Sequence, residues 1–319
     1  MSKRISESDL LEYSLCYCFE MNVAPTKVAA VIVAFNRDNL LERSLQHTVK
    51  QTREPDLVIV VDNANLESTR LLVESQGAIY LNGAIENGSA GGFAIGFDYA
   101  LSANFDFIWT LDDDGYPDLN CLSTLLEFTL GSALDVSSPL SLSQEDHTQT
   151  ANPYLFGIRK ITDVSKIQRK VIWANKVQFY NGALFSRDVI KLIGFPKKEL
   201  FLRGDEMDYY YRARRAKAKM GLVTNAIFYH PSGVPDFANS RNSIIGVVIP
   251  KQQNKLYYQF RNRGYLIREY SLIINAIYDW IRYPLFFLVY PGRNLQGFLQ
   301  WKSLWLQGFN RDFRPYTPD

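Results

Sequence analysis

Apolar runs alternate with polar, helix-length stretches along the first half of this 319-residue chain. Residues 27–35 and 57–61 are rich in β-branched side chains, as buried strands are, and each run stops at polar residues. A third strand is predicted near residues 78–81 and a fourth over residues 107–111. Because the connections have helical length, the pattern predicts an α/β fold with a mostly parallel sheet and right-handed crossovers.

Capping and turn residues predict where several helices begin and end. Asp38 or Asn39 is expected to cap the helix after the first strand. Further along, a helix is predicted over residues 209–220, with Gly221 as its stop. A strand over residues 222–229 should follow.

Three consecutive carboxylates, Asp112, Asp113 and Asp114, stand where the fourth apolar run stops. Such a cluster repels itself unless a hard divalent cation, Mg²⁺ or Mn²⁺, and the phosphates it carries neutralise the charge. The carboxyl ends of strands are also where open α/β sheets bind ligands. A solvated acidic turn is the alternative, since Asp-Gly is a common turn dipeptide. The other motifs of the chain favour the metal site.

A glycine-rich segment over residues 87–96 is expected to open the third helix. Glycines let the backbone approach a ligand, and a helix N-terminus favours an anion. Tight packing of the helix on a strand is an equally good explanation, and the segment matches neither the dinucleotide nor the P-loop fingerprint. Asp62, at the end of the second strand, either accepts hydrogen bonds from a base or ribose or caps the next helix.

The composition, 47% hydrophobic and 21% charged, is that of a globular chain with core enough for one large or two small domains. Three cysteines, Cys16, Cys18 and Cys121, form no even-numbered disulfide framework and indicate reduced thiols in a cytosolic protein. The first 20 residues lack a secretory signal. Residues 1–27 are therefore interpreted as an N-terminal extension, either an added helix or a docking segment.

The last part of the chain is basic and aromatic although the net charge is only +2. Residues 251–319 contain ten Lys and Arg against four Asp and Glu, and 17 of the 44 aromatic residues. Charged residues interrupt every stretch that approaches the ~20 apolar residues needed to span a bilayer. Helices of this kind commonly lie in the membrane interface. Packing on the main domain or on a partner subunit is the alternative.

Taken in order, four motifs resemble the nucleotide-sugar-binding half of family-two inverting glycosyltransferases, which have the GT-A fold. The motifs span residues 31–37, 60–63, 87–92 and 112–114. The resemblance covers residues 28–250, with residues 28–118 as the nucleotide-sugar half and residues 119–250 as the acceptor half.

In that family the strand ends hold the nucleoside, and the acidic cluster bridges the ribose and a diphosphate-bound metal. The resemblance implies that Asp62 contacts the base, Asp112 the ribose or the metal, and Asp114 the metal. Taken together, the implied donor-binding residues are Phe35, Arg37, Asp62, Asn87, Gly91, Gly92, Asp112 and Asp113.

Asp205 and Glu206, at a predicted helix start, resemble the acidic pair that supplies the catalytic base in the family's acceptor half. The family more often has Asp where Glu206 stands, so either residue remains a candidate for the base. His230 lies where bacterial galactofuranosyltransferases have a metal-binding histidine, which makes it the third implied ligand; a structural histidine is the alternative. Asp208 is interpreted as structural or acceptor-binding, and the basic residues from Arg212 onward as a solvated helix face or, less favoured, a phosphate contact.

Tyr257, Tyr258, Arg261 and Asn262 resemble a motif of the subgroup that contains galactofuranosyltransferases and dTDP-rhamnosyltransferases. The resemblance implies metal-dependent, inverting transfer of a sugar to a hydroxyl of a lipid-linked or growing bacterial surface glycan, with Mn²⁺ or Mg²⁺. UDP-galactofuranose is the favoured donor. A dTDP-rhamnosyltransferase and a non-catalytic nucleotide-sugar or glycan-binding module are the alternatives.

The same resemblance implies a cytoplasmic protein held peripherally at the inner face of the cell membrane. Its expected partners are the UDP- or dTDP-sugar donor, the glycan acceptor and an anionic membrane surface, with no nucleic acid. The oligomeric state is left open.

Overall fold

The computed structural model describes residues 26–156, 159–233, 246–247, 249–289 and 293–318. The predicted N-terminal extension, apart from Thr26 and Lys27, lies outside the described residues. The strands are β1 (Val28–Ala34), β2 (Leu57–Asp62), β3 (Ile79–Asn82), β4 (Phe107–Asp112), β5 (Tyr116–Pro117), β6 (Val136–Ser143), β7 (Gln149–Phe156), β8 (Arg159–Asp163), β9 (Ile172–Ala174), β10 (Ala183–Ser186) and β11 (Met220–His230). The helices are α1 (Asp38–Val49), α2 (Glu67–Ser75), α3 (Gly88–Ser102), α4 (Cys121–Gly131), α5 (Val164–Ile167), α6 (Arg187–Ile193), α7 (Asp205–Arg215), α8 (Gln253–Glu269), α9 (Ile273–Pro284) and α10 (Leu295–Phe309).

Eight of the described strands follow one another in a mixed sheet in the order β3-β2-β1-β4-β10-β6-β11-β5. Off this path, β7 pairs with β6 and β8, and β9 pairs with β11. The four strands β1 to β4 are parallel, and β10 joins β4 antiparallel. The parallel register pairs Ala34 with Asp62 and Val33 with Asp112, so the carboxyl ends of β1, β2 and β4 meet at one edge. The predicted α/β fold with a mostly parallel sheet is confirmed.

Strand β1 is apolar throughout because both of its faces are buried. Alternate residues Val28, Ala30 and Ile32 join the core on one face of the sheet, and the residues between them join the core on the other. A strand covered by helices on both sides loses the polar alternation of a half-exposed strand. The apolar run at residues 27–35 is therefore the signature of a central strand.

Two of the predicted boundaries are wrong. Helix α1 begins at Asp38 without a side-chain cap, because the Asp38 carboxylate accepts hydrogen bonds from the hydroxyls of Ser68 and Thr69, at 2.7 Å each. Helix α7 ends at Arg215, and Gly221 lies inside β11 instead of stopping the helix. A Cβ at Gly221 would meet a methyl of Ile172 at 2.9 Å, so this glycine serves close packing.

The C-terminal helices pack on the rest of the protein and also form a core of their own. Trp301, Tyr283 and Phe260 are buried between α8, α9 and α10. Tyr265 and Leu266 of α8 pack on Leu200 of the main domain. Packing is thus confirmed for this region. No helix within the described part of the chain is long and apolar enough to cross a membrane.

Candidate active site

Asp112, Asp114 and His230 come together at the sheet edge. Strand β4 ends at Asp112, and β11 ends at His230 after pairing with β5, which follows the acidic cluster. One ligand atom from each of the three side chains lies within 4.8 Å of the others. His230 Nδ1 is 2.8 Å from the Pro231 carbonyl, a contact that fixes the ring and turns Nε2 toward Asp114. Carboxylate oxygens with one imidazole nitrogen are a donor set that suits Mn²⁺.

Charge coupling within this group is strong. Burial alone would raise the pKa of Asp114, but the hydrogen bond and charge of His230, together with the charge of Arg37, hold that pKa well below its ordinary value. Burial lowers the pKa of His230, yet Asp114, at 3.3 Å, outweighs it and raises this pKa to about 9. Burial and the Asp114 carboxylate raise the pKa of Asp112. A cation at this site would therefore displace protons as it binds.

Asp113 is turned away from its two neighbours. Its side chain is only 1% exposed and accepts hydrogen bonds from the Phe35 backbone N–H (3.1 Å) and from Arg37 Nε (3.2 Å). The carboxylate thus ties the end of β1 to the end of β4. Arg37 also contacts Asp114 at 2.5 Å, so its guanidinium links the buried Asp113 with Asp114, one of the candidate metal ligands.

A cleft of about 590 Å³ opens beside the cluster, a size that suits a small-molecule ligand. Phe35, Arg37 and Asp112 line it, as the sequence predicted for donor-binding residues. The cleft also has lining residues that were not named among the expected donor-binding residues. These are Val33, Ala34, Asn36, Asn63, Ile85, Gly88, Ser89, Phe201, Leu202, Gln252, Asn254 and Lys255. Val33, Ala34, Asn36, Asn63, Gly88 and Ser89 lie within the motifs at residues 31–37, 60–63 and 87–92, which are the signal that could have identified them.

Asp62 lies outside the lining of this cleft. It is fully buried and accepts hydrogen bonds from the backbone N–H groups of Ala64 and Leu66, at 2.8 Å each, and from the Tyr80 hydroxyl at 3.1 Å. Leu66 is the N-cap residue of α2 and no side chain caps this helix, so the alternative of Asp62 as a helix cap is wrong. Asp62 instead holds the turn that leads into α2. Asn63, the next residue, lines the cleft instead and donates to the Gly88 carbonyl at 2.7 Å.

Gly91 and Gly92 are buried inside α3 and do not line the cleft. A Cβ at Gly92 would meet Val33 Cγ1 at 2.6 Å, and one at Gly91 would meet Asn87 Cβ at 2.5 Å. These distances favour the packing explanation of the glycines. Asn87 lies at the N-terminal boundary of α3 without a side-chain cap, and it too is absent from the lining.

The two acidic residues at the start of α7 have different surroundings. Asp205 is 3% exposed and accepts a hydrogen bond from the Ser89 hydroxyl at 2.8 Å; burial raises its pKa to about 6 despite that bond. Burial, followed by the charges of Asp205 and Asp112, raises the pKa of Glu206 well above its ordinary value, and His230 opposes the rise. Glu206 is therefore the member of the pair whose pKa is affected by the charges of Asp112 and His230.

Side chains distant in sequence hold the acidic turn in place. Gln144 donates to the Asp114 carbonyl at 2.9 Å, and Arg43 contacts both that carbonyl, at 3.4 Å, and the Gln144 side chain, at 3.0 Å. No pattern along the chain predicts these contacts, because they join α1 to the residues that follow β4 and β6 only in the folded state.

Residues 29–194, a little more than half of the chain, match the family model described as Glycosyl transferase family 2. The chain belongs to this family and is a glycosyltransferase. The galactofuranosyltransferase GlfT1 of Mycolicibacterium smegmatis is 35% identical over 286 residues, covering 87% of this chain and 94% of the relative.

Solved structures share the fold. A crystal structure of S. aureus TarS 1-349 is similar with a TM-score of 0.54 at 14% identity, over 90% of this chain and 82% of that one. The mannosyltransferase PcManGT from Pyrobaculum calidifontis, in complex with GDP-Man and Mn²⁺, gives a TM-score of 0.50 at 12% identity, over 87% and 73% of the two chains. At these identities the likeness establishes the GT-A-like fold alone.

Proposed function

We propose that this glycosyltransferase moves galactofuranose from UDP-galactofuranose to a hydroxyl of a lipid-linked or growing bacterial surface glycan, with inversion and with a divalent cation. The observation that carries the proposal is the convergence of Asp112, Asp114 and His230 beside a cleft, with Glu206 coupled to them. The relative's name and the Asp-Asp-His donor set support the choice of donor. A dTDP-rhamnosyltransferase of the same fold is the alternative.

Asp112, Asp114 and His230 are the residues that would hold Mn²⁺ or Mg²⁺. When bound there, the cation neutralises the charge that develops on the departing nucleoside diphosphate. Phe35, Asn63 and the first residues of α3 form the wall against which the nucleotide would lie. Exposed backbone N–H groups at the start of a helix also suit a diphosphate.

Glu206 is the proposed general base. Its carboxylate takes the proton of the acceptor hydroxyl while that oxygen attacks the anomeric carbon. The bond from the anomeric carbon to the diphosphate oxygen breaks, and its electron pair leaves with the diphosphate. Attack from the face opposite the leaving group inverts the configuration. A raised pKa suits a general base, because the deprotonated carboxylate is then a stronger proton acceptor.

The donor is tested by measuring nucleotide release from UDP-galactofuranose and from dTDP-rhamnose at matched concentrations with Mn²⁺ and an acceptor extract. We expect faster, metal-dependent release of UDP, since a site whose hydrogen bonds fit one sugar rejects another strongly. The Asp114→Ala variant is the control and should lose Mn²⁺-dependent UDP binding in calorimetry while remaining folded. Faster dTDP release would assign the donor to the alternative.

We also infer that α9 docks the protein on an anionic membrane surface at the inner face of the cell membrane. Ile274, Ile277 and Ile281 are 80%, 57% and 56% exposed on one side of this helix. Arg263 and Arg282 are neutralised by the buried Asp279, at 2.7 and 2.8 Å. The aliphatic face, more than the net charge, therefore supports the docking, because apolar patches of this kind mark interaction sites.

A further inference from the structure

We propose that Asn262 of α8 is a positioning residue for the catalytic base, because it holds the loop that presents the start of α7. The loop consists of residues 199–204 and is called the presenting loop below. The inference rests on the proposed function in taking Glu206 as the base. The sequence identified Arg261 and Asn262 only as part of a motif that resembles one subgroup of the family. The inference assigns these two residues a structural role.

The backbone of the presenting loop is strained. Phe201, Arg203 and Gly204 have φ angles of 65°, 59° and 129°, in the region that side-chain-bearing residues rarely adopt. Such conformations persist only where the surroundings over-determine them, and they cluster at functional sites. Gly204 is the residue directly before Asp205 and Glu206, so relaxation of the loop would move the start of α7.

Asn262 holds the presenting loop in this conformation, and its contacts with the loop are called the clamp below. Its side chain is fully buried, and the two N–H groups of Nδ2 are shared among the carbonyls of Leu200 (2.8 Å), Leu202 (2.9 Å) and Arg203 (3.1 Å). Three loop carbonyls thus converge on one amide. Its Oδ1 accepts from Arg261 Nε at 3.0 Å, which fixes the orientation of the amide. Buried carbonyls that lose their donor are costly, so the loop is bound to this side chain.

Arg261 extends the same clamp. Its guanidinium is 1% exposed and donates to the Glu199 carbonyl at 2.5 Å and the Arg314 carbonyl at 2.9 Å. The ring of Tyr258, one turn earlier on α8, stacks on Phe201 with centroids 4.6 Å apart. Polar and aromatic contacts from one helix therefore hold the presenting loop along most of its length.

The opposite side of the loop rests on the donor-binding helix α3. The Phe201 carbonyl accepts from the Ala90 N–H and the Ser89 hydroxyl, at 3.3 Å each. A Cβ at Gly88 would lie 2.3 Å from the same carbonyl, so there is no space between loop and helix. The Ser89 hydroxyl also bonds Asp205. Contacts from α8 on one side and from α3 on the other therefore hold the loop that leads to Glu206.

Helix α8 also fixes α7 beyond its first turn. Asp208 is fully buried and accepts hydrogen bonds from the hydroxyls of Tyr265 (3.0 Å) and Tyr270 (2.7 Å). Arg212 completes this cluster at 2.9 Å. These contacts assign Asp208 to structure, and they correct the expectation of a solvated face for Arg212. With α7 held downstream, Asn262 controls only the position of its N-terminal residues.

The test compares Asn262→Ala with Asp279→Asn in the full chain. Asn262→Ala keeps the Cβ that packs near Gly204 and removes the amide. Asp279→Asn weakens the ion pair with Arg263, which joins α8 to α9, and the pair with Arg282 within α9, and it leaves the presenting loop untouched. We expect both variants to lower Tm, while only Asn262→Ala lowers kcat, by about tenfold or more as misplacement of a catalytic group does. Affinity for UDP with Mn²⁺ should fall by a smaller factor than kcat, because only Phe201 and Leu202 of the loop line the cleft.

Hydrogen exchange provides a readout that does not depend on turnover. Amides of residues 199–208 should exchange faster in Asn262→Ala and at the wild-type rate in Asp279→Asn. If Asn262→Ala fails to fold, Asn262→Ser, which keeps one donor, should give an intermediate kcat and intermediate exchange. Unchanged exchange or unchanged kcat in the folded Asn262 variant overturns the positioning role. An equal kcat loss in Asp279→Asn does so too. A wild-type chain that transfers no sugar refutes the proposed function, while the exchange contrast still tests the clamp.

Discussion

At the residue scale, three identical side chains in a row take three different roles. Asp112 lines the cleft, Asp113 is buried against Arg37 and the Phe35 backbone, and Asp114 faces His230. The difference arises from direction, because successive residues leaving a strand point to different sides. The surroundings then set the pKa of each carboxyl group. His230 and Arg37 hold the pKa of Asp114 low, whereas burial raises the pKa of Asp113 to about 6. Asp113 is thus structural, although it lies in sequence between the two carboxylates that are proposed to hold the cation.

Replacing the proposed base tests the assignment within the acidic pair. Glu206→Gln should lower sugar transfer by on the order of 10²-fold or more while preserving Mn²⁺-dependent UDP binding, because the amide cannot accept the proton. Asp205→Asn is the matched comparison. Its side chain is buried on Ser89, so this variant should retain most of the transfer activity. An inactive Asp205→Asn beside an active Glu206→Gln would reverse the two roles.

At the scale of elements, helix α3 lies so close to β1 that its glycines have no room for a side chain. A Cβ at Gly96 would meet Val31 Cγ1 at 2.3 Å, as one at Gly92 would meet Val33. The close approach brings the N-terminus of α3, with Gly88 and Ser89, to the cleft at the carboxyl end of β1. The glycines thus contribute to the site through packing, even though they do not line it.

Gly92→Ala separates packing from ligand contact. We expect it to lower the free energy of unfolding by about 1–3 kcal/mol, because the added methyl overpacks the interface with β1. Affinity of the folded variant for UDP with Mn²⁺ should stay within a few-fold of wild type. Gly131→Ala, at the end of α4, is the control, since its Cβ would meet nothing within 4 Å. Loss of nucleotide binding without loss of stability in Gly92→Ala would restore the predicted donor contact.

At the scale of the whole molecule, the C-terminal region completes the site instead of following it as an appendage. Gln252, Asn254 and Lys255 form one wall of the donor cleft. Tyr265 and Leu266 cover Leu200, so removal of residues 251–319 would expose that core and open the cleft. The division into residues 28–250 and 251–319 remains a prediction about organisation, and residues of both parts line the same cleft.

Docking of the whole molecule on a membrane is tested by sedimentation with anionic vesicles. The double variant Ile274→Glu, Ile277→Glu should lose at least tenfold in vesicle affinity, since each exposed isoleucine would gain about 1.5–3 kcal/mol on burial. Leu192→Glu is the matched control, because Leu192 is 67% exposed on the distant helix α6. High salt should reduce vesicle binding of the wild type less than the double substitution does, because salt screens only charges. Equal sedimentation of wild type and double variant would contradict the docking surface.

The sequence alone determined the features that depend on short stretches of chain. The run at residues 27–35, the acidic cluster after a strand and the histidine at the end of another predicted the sheet and the converging ligands. The sheet is confirmed, and Asp112, Asp114 and His230 lie together because the carboxyl ends of parallel strands meet at one edge. Their role as metal ligands stays a prediction. Helix ends were less certain: Asp38 and Gly221 have the residue types of a cap and a stop, yet their long-range contacts give them other tasks.

Only the tertiary structure decided which side chains face the cleft and what holds them. Asp62 and Asp113 are buried and satisfied by hydrogen bonds, whereas Asn63 and Ser89 line the cleft. Asn262 is separated from the loop that it clamps by about sixty residues of chain. Such roles arise from contacts between segments that are distant in sequence. A local pattern fixes where a strand ends, but the direction and the partners of each side chain exist only once the segments have packed.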